Sequence, residues 1–184
     1  NHRSTKAIRS GQPHNPIITQ LEPYYNTSKD FVIMWPHRYN DDKQPDIAEK
    51  LSSDFDMVIT QKMNLNKADY YATMGTSKAI FSCALHENLG ISVMEAVLTG
   101  AIPIVPDRCS YAEMYLPEFK YPSEWTENYE QFIYHRDDMV KFINARLVYN
   151  FADYQDLIKQ QQQILIKDYL SSNIMINNLL KKGT

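Results

Sequence analysis

Glu87 and Glu95 stand with seven residues between them, and Gly90 lies in that interval, just ahead of an apolar run that reads as a helix. A glycine at a strand-to-helix turn lets backbone N–H groups approach an anion at the positive end of the helix, where the first amides have no partner. That reading places an anion site at residues 89–92, with Gly90, Ile91 and Ser92 supplying the amides. A carboxylate beside an anion is repelled. The two glutamates are therefore better matched to hydroxyl groups, which an ionised acceptor holds strongly. Arg38 and Lys43 follow another apolar run, and they offer phosphate-type oxygens a planar fork and a point charge respectively. His86 adjoins Glu87 and is a further candidate for ligand contact. These residue types suit a ligand that is part polyanion and part polyol.

The elements that must carry these residues alternate. Residues 31–35 (Phe-Val-Ile-Met-Trp), stopped by Pro36, form a continuous apolar run of strand length. Asp46 is placed to cap a helix whose Ile47, Leu51 and Phe55 recur at four-residue spacing. Residues 57–60 read as the next strand. Residues 68–74 read as a short helix closed by Gly75, and 79–83 as a third strand. A helix from Gly90 to Thr99, with Ile91, Met94, Val97 and Leu98 on one face, ends at Gly100. Residues 102–106 give another strand, with Pro103 near its start or at an edge, where a missing N–H is tolerated. Strand–helix alternation over residues 31–105 is the signature of a parallel sheet, so the expected class is α/β, a Rossmann-like sheet flanked by helices. From about Asp137 the chain reads as helical: Met139, Phe142, Ile143 and Leu147 form one stripe, and a last helix covers residues 154–180. The run Gln160–Gln163 fits a solvated helix face.

Length and composition bound what this assembly can be. A chain of 184 residues with 43% hydrophobic and 22% charged residues has the make-up of one folded domain with a short appendage. Its net charge of -3 argues against a strongly basic nucleic-acid module. Cys83 and Cys109 form neither a CxxC pair nor a zinc pattern; they read as buried thiols of a reducing, cytoplasmic compartment. No apolar run has the length to cross a bilayer, and the polar opening Asn1–Gln12 has no signal-peptide core. That opening also lacks an initiator Met, as a cut inside a longer chain would.

The stretch from His86-Glu87 through Glu95-Ala96 to Gly100 and Pro103 resembles the E-x7-E motif of retaining nucleotide-sugar glycosyltransferases of the two-domain GT-B fold, group 1 type. The resemblance implies that Glu87 lies by the donor sugar, Glu95 holds the nucleotide ribose, and residues 90–92 with His86 meet the donor. Trp35-Pro-His-Arg38 with Lys43 is similar to the basic pair that neutralises the diphosphate leaving group in that family. Catalytic work would then fall to Glu87, Arg38 and Lys43, with no metal and no cofactor beyond a UDP- or GDP-linked sugar. Together with Pro106-Asp-Arg-Cys-Ser-Tyr-Ala-Glu113, these residues are similar in detail to the glycosyltransferases that mannosylate queuosine in tRNA. The likeness covers about residues 31–122, and the chain departs from it at Asn88-Leu89, where those enzymes carry two aromatic residues. It implies backbone contacts to the donor base near Tyr111 and Glu113, and an acceptor such as a tRNA or DNA base.

On this reading residues 1–30 are a linker or the remnant of a preceding domain. Residues 31–150 are the nucleotide-sugar-binding domain, and residues 151–184 are helices that pack back on it or on a missing N-terminal acceptor-binding domain. Ile174, Met175, Ile176, Leu179 and Leu180 would face that partner. Three rival readings stand beside it. One is a non-catalytic nucleotide-sugar-binding module. Another takes Asp54-Phe-Asp56 as the D-x-D of metal-dependent GT-A enzymes, and the third is a pure interaction domain held by the long C-terminal helices, with no nucleotide affinity. His37 and His86 read as ligands, proton carriers or orienting hydrogen-bond donors beside the site, and His135 and Arg136 as surface residues.

Overall fold

In the computed structural model, residues 15–25, 27–148 and 151–170 are described; the opening residues 1–12 and the apolar residues from Ile174 to Leu180 lie outside them. Five strands form one sheet: β1 (Asp30–Trp35), β2 (Met57–Ile59), β3 (Ser77–Phe81), β4 (Ile102–Pro106) and β5 (Lys120–Tyr121). Their order is β2-β1-β3-β4-β5 and every pairing is parallel. The α/β, Rossmann-like class read from the sequence is the class observed.

Alternate side chains along each strand enter opposite cores. Ile33, Trp35, Ala79, Phe81, Ile102 and Ile104 meet α2 (Pro45–Leu51), α6 (Tyr129–Tyr134) and α7 (Arg136–Val148) on one face. Met34, Ile80 and Val105 meet α4 (Ile91–Leu98) and α5 (Cys109–Met114) on the other. Burial on both faces is why these strands read as unbroken apolar runs rather than alternating ones. Leu21 of α1 (Asn15–Leu21) is fully buried in the second core. Helix α8 (Phe151–Ile164) is the last α-helix among the described residues and runs into a π-helical turn, Leu165–Leu170.

Pro103 is the second residue of β4, near the strand's start as expected, and lies opposite Ile80 of β3. The carbonyl of Ile104 accepts from Ser82, so even-numbered residues of β4 bond toward β3 and Pro103 points the other way. There β5 begins pairing only at Val105. The missing N–H therefore breaks no rung of the ladder.

Several local expectations are corrected. Helix α2 is preceded by Gln44 in the left-handed region (φ 52°) and starts at Pro45; Asp46 lies in its first turn, and Phe55 lies beyond its end at Leu51. Gly75 does not close α3 (Lys67–Thr76) but lies within it. A Cβ at Gly75 would stand 3.0 Å from both Tyr24 Cβ and Thr27 Oγ1, so close approach, not helix termination, selects glycine there. Ile91 is exposed, while residues 93–98 of α4 are buried almost all round, because this helix lies between the sheet and α8. Cys83 is buried and its thiol is pushed up to about 12 by burial. Cys109 is exposed and opens α5 with φ 51°. The glutamine run is only half a solvated face: Gln160 and Gln163 are exposed, whereas the two between them turn inward. Gln161 is fully buried, accepting from the Leu116 amide at 2.7 Å and donating to Met114 O at 2.8 Å, while Gln162 donates to Val97 O and Leu98 O at the end of α4.

Candidate functional site

In the strand order 2-1-3-4-5 the chain turns to opposite sides of the sheet after β1 and after β3, which leaves a crevice at their carboxyl ends where open α/β sheets bind ligands. The loop after β1 carries Arg38 and Lys43; the loop after β3 carries His86, Glu87 and Gly90. They are tied together at their bases by Leu85 N donating to Asp42 O at 2.7 Å.

Lys43 is the centre of this arrangement. Its Nζ lies 3.3 Å from Glu87 Oε2 and 3.1 Å from Asp42 Oδ2, and donates to His86 O at 2.5 Å. The other oxygen of Glu87, Oε1, accepts from Gly90 N at 3.0 Å. Gly90 adopts φ 66°, and the first helical bond of α4 runs from Met94 N to Gly90 O. The amides of Ile91, Ser92 and Val93 therefore have no partner inside the helix. Arg38 and His86 are exposed on either side. The structure thus brings Lys43, Glu87 and Gly90 into one hydrogen-bonded group, whereas Arg38 is exposed in the loop after β1 and is not part of it. Glu95 is not in that group. It is 8% exposed, accepts from Tyr71 of α3 at 3.2 Å, and is pushed up by burial.

Beneath the crevice lies a polar relay with no clear mark in the sequence. Tyr111 donates to Ser82 Oγ at 3.2 Å, the Ala84 amide donates to the same oxygen at 3.3 Å, and His37 Nε2 lies 2.8 Å from it. With both lone pairs of Ser82 taken, its own proton goes to His37, which must hold the imidazole proton on Nδ1. The Tyr111 side chain is fully buried and packs under Gly90; Glu113 is exposed.

His37 is pushed down to about 4, first by burial and then by Lys43. Its unfolded-state value is near 6.5, so between pH 6.5 and 4 the unfolded chain binds a proton that the folded one refuses. Folding stability from this group is complete above pH 6.5 and falls as the pH drops toward 4, by up to about 3 kcal/mol. Urea midpoints measured from pH 7.5 to 4.5 check this. The fall should be absent in His37→Gln, and an equal fall there rules His37 out as its source.

Arg108 underpins the same loops. Its guanidinium donates to Ala84 O, Cys83 O and Thr126 Oγ1 at 2.8 Å and to Ser123 O at 3.0 Å. Gln44 adds donors to Cys83 O at 2.6 Å and Thr126 O at 2.7 Å.

The D-x-D alternative finds no such support: Asp54 forms an ion pair with Arg136, and among the described residues no cluster of three or more His, Cys, Asp or Glu side chains could hold a metal. His135 stacks on Trp125. A cavity of about 470 Å³ lies at the opposite end of α4, lined by Lys29 and Gly100 among others, and is separate from this crevice. No described helix is long and apolar enough to cross a membrane.

No protein-family profile matches the chain. The chain is similar to a tRNA-queuosine alpha-mannosyltransferase of Drosophila melanogaster, 24% identical over 119 residues, a match that covers 48% of this chain. It spans 32% of that protein's length. The distant likeness is thus to a glycosyltransferase, on a parallel α/β sheet compatible with one.

Proposed function

We propose that this chain binds the donor of a glycosyltransferase: a UDP- or GDP-linked hexose, with its diphosphate at the crevice between the loops after β1 and β3. The observation that carries the reading is the Lys43–Glu87–Gly90 group beside the free amides of α4. In the unliganded protein Glu87 takes the place an anion would occupy, accepting from the Gly90 amide and Lys43 together. A diphosphate takes over those donors, with Arg38 swinging in from the crevice border, and Glu87 is released toward the sugar hydroxyls. Lys43, Arg38 and the helix amides then offset the charge that grows on the diphosphate as the glycosidic bond breaks. These groups need no metal to do so. Retention of configuration, and a tRNA or DNA base as acceptor, rest on the likeness to the E-x7-E enzymes and to the queuosine mannosyltransferase.

Thermal shift and calorimetry with UDP, GDP and their sugars test the reading. Stabilisation by one nucleoside diphosphate is expected. Lys43→Ala and Arg38→Ala should each weaken it about tenfold or more, the loss of a charged hydrogen bond of about 1.5–3 kcal/mol. Affinity within twofold of the parent would remove the residue from the site.

Glu95 is the proposed ribose ligand, with Tyr71 holding its carboxylate until the hydroxyls arrive. Glu95→Gln should weaken UDP or GDP and the free nucleoside by the same factor, because the phosphates are not involved. A loss confined to the diphosphate would contradict the assignment. Transfer itself needs donor and acceptor within near-attack distance in a closed cleft. The 184-residue chain alone is expected to bind donor without forming product, and a product assay beside one on a chain extended toward the N-terminus checks this. The rival reading, a non-catalytic binding module, predicts no product from either.

A further inference from the structure

The cavity at the N-terminal edge of the sheet plays no part in the proposed donor site. At about 470 Å³ it has the volume of a small-molecule site, for which roughly 300–1,000 Å³ is usual. Its walls include Ile18 of α1, Leu98 at the end of α4 and Ile158 of α8. The rest of the lining is largely polar, with Thr27, Thr99, Gln155 and Gln162, and Lys29 and Lys159 stand among them. Lys29 Nζ donates to Gly75 O at 2.5 Å, which uses one of its three donors. Among the described residues no carboxylate pairs with it, whereas Lys159 has Asp156 at 3.5 Å. Burial pushes Lys29 down to about 8, as expected for a cation taken from water without a counter-ion. A carbonyl at the end of α3 offsets only part of that charge.

We propose that this cavity binds a small organic anion, an oxyanion headgroup on a compact apolar body, with the headgroup on Lys29 and the body against Ile18, Leu98 and Ile158. The headgroup supplies the missing counter-charge and takes up the free ammonium donors. The apolar walls set the ligand apart from a bare inorganic ion, which could use Lys29 but not the rest of the cavity. Carboxylate and phosphate monoester are the two headgroups that meet this description.

The probes are hexanoate, n-hexyl phosphate and, as the neutral control, hexanol, each titrated by calorimetry and protein NMR to about 20 mM. Saturable binding of at least one anion is expected, tighter than hexanol by about tenfold or more, the effect of one charged hydrogen bond; which anion wins identifies the headgroup. Lys29→Gln, which keeps a donor for Gly75, should lose that advantage, and Lys29→Arg should keep it. Because Lys29→Gln could fail to fold, the parent protein carries a second measurement: limited acetylation mapped by mass spectrometry. The preferred anion should protect Lys29 and leave the exposed Lys141 unaffected, while hexanol protects neither. Equal binding of hexanol and both anions, no saturable binding, or no protection of Lys29 would each overturn the proposal. None of these outcomes depends on whether UDP or GDP binds at the other end of α4.

Discussion

Arg108→Met is expected to lower the free energy of unfolding by about 3–5 kcal/mol, near the upper limit for one substitution. The size follows from where the four hydrogen bonds end. Three go to main-chain carbonyls, of Cys83, Ala84 and Ser123, and the fourth to the buried hydroxyl of Thr126. Methionine fills much of the same space but leaves those acceptors facing apolar atoms, and a buried acceptor without a partner costs about 1–3 kcal/mol. Gln44 still serves Cys83 O, which keeps the total below a simple sum. Urea unfolding followed by tryptophan fluorescence measures the loss. Arg108→Lys should recover less than half of it, because an ammonium cannot reproduce a planar fork spread over two segments of chain. A loss under about 1 kcal/mol for Arg108→Met would mean that water replaces the guanidinium and that the loop after β3 is held by other contacts.

Gly90→Val is expected to cost about 4 kcal/mol in stability and to abolish nucleoside diphosphate binding in whatever fraction still folds. Two independent penalties combine. At φ 66° an L-residue is strained, and a β-branched one most of all. A Cβ would also lie 2.7 Å from Tyr111 Cε1. That ring cannot swing aside, because its hydroxyl is tied to Ser82 and the side chain has no exposed surface. The turn must open instead, carrying the amides of α4 away from Lys43. Gly90→Ala should show a smaller version of both effects. A Gly90→Val protein with unchanged stability would show that the turn has another conformation of nearly equal energy.

Much of the sheet is legible in the sequence because the central residues of β1, β3 and β4 are buried on both faces and form apolar runs, although β1 opens with Asp30 and β3 with Ser77 and Lys78. Strand β5 is invisible by that rule: it has two residues, Lys120 and Tyr121, and pairs only with the last two of β4. Helices are found where their apolar spacing is clear, but their ends are not. Gly75 looks like a stop signal and is instead a close contact, a distinction that depends on Tyr24 and Thr27 far away in sequence. The glutamine run shows the same limit, since a polar side chain is buried when main-chain groups elsewhere need partners, as those of Met114 and Leu116 do. For the candidate site, Glu87, Gly90 and Lys43 could be picked out by residue type and by their places after strands. The relay of His37, Ser82 and Tyr111 could not, because it joins the loops after β1 and β3 and helix α5 through one serine hydroxyl. Arg108 had a fainter signal, a lone arginine following a strand that ends in proline; its partners are carbonyls, which no sequence pattern displays.

The side chains of Gln161 and Gln162 reach back to carbonyls at the ends of α4 and α5. During synthesis the chain emerges from its N-terminus, so all five strands are available before these glutamines exist outside the ribosome. Until then the last carbonyls of α4 have no side-chain partner, and the surface of the second core that α8 and the turn after it will cover is open to solvent. The nascent sheet must therefore wait, formed but unsealed, for a segment encoded some forty residues after β5. A stall or a slow codon run in that stretch would prolong the most aggregation-prone interval of its folding.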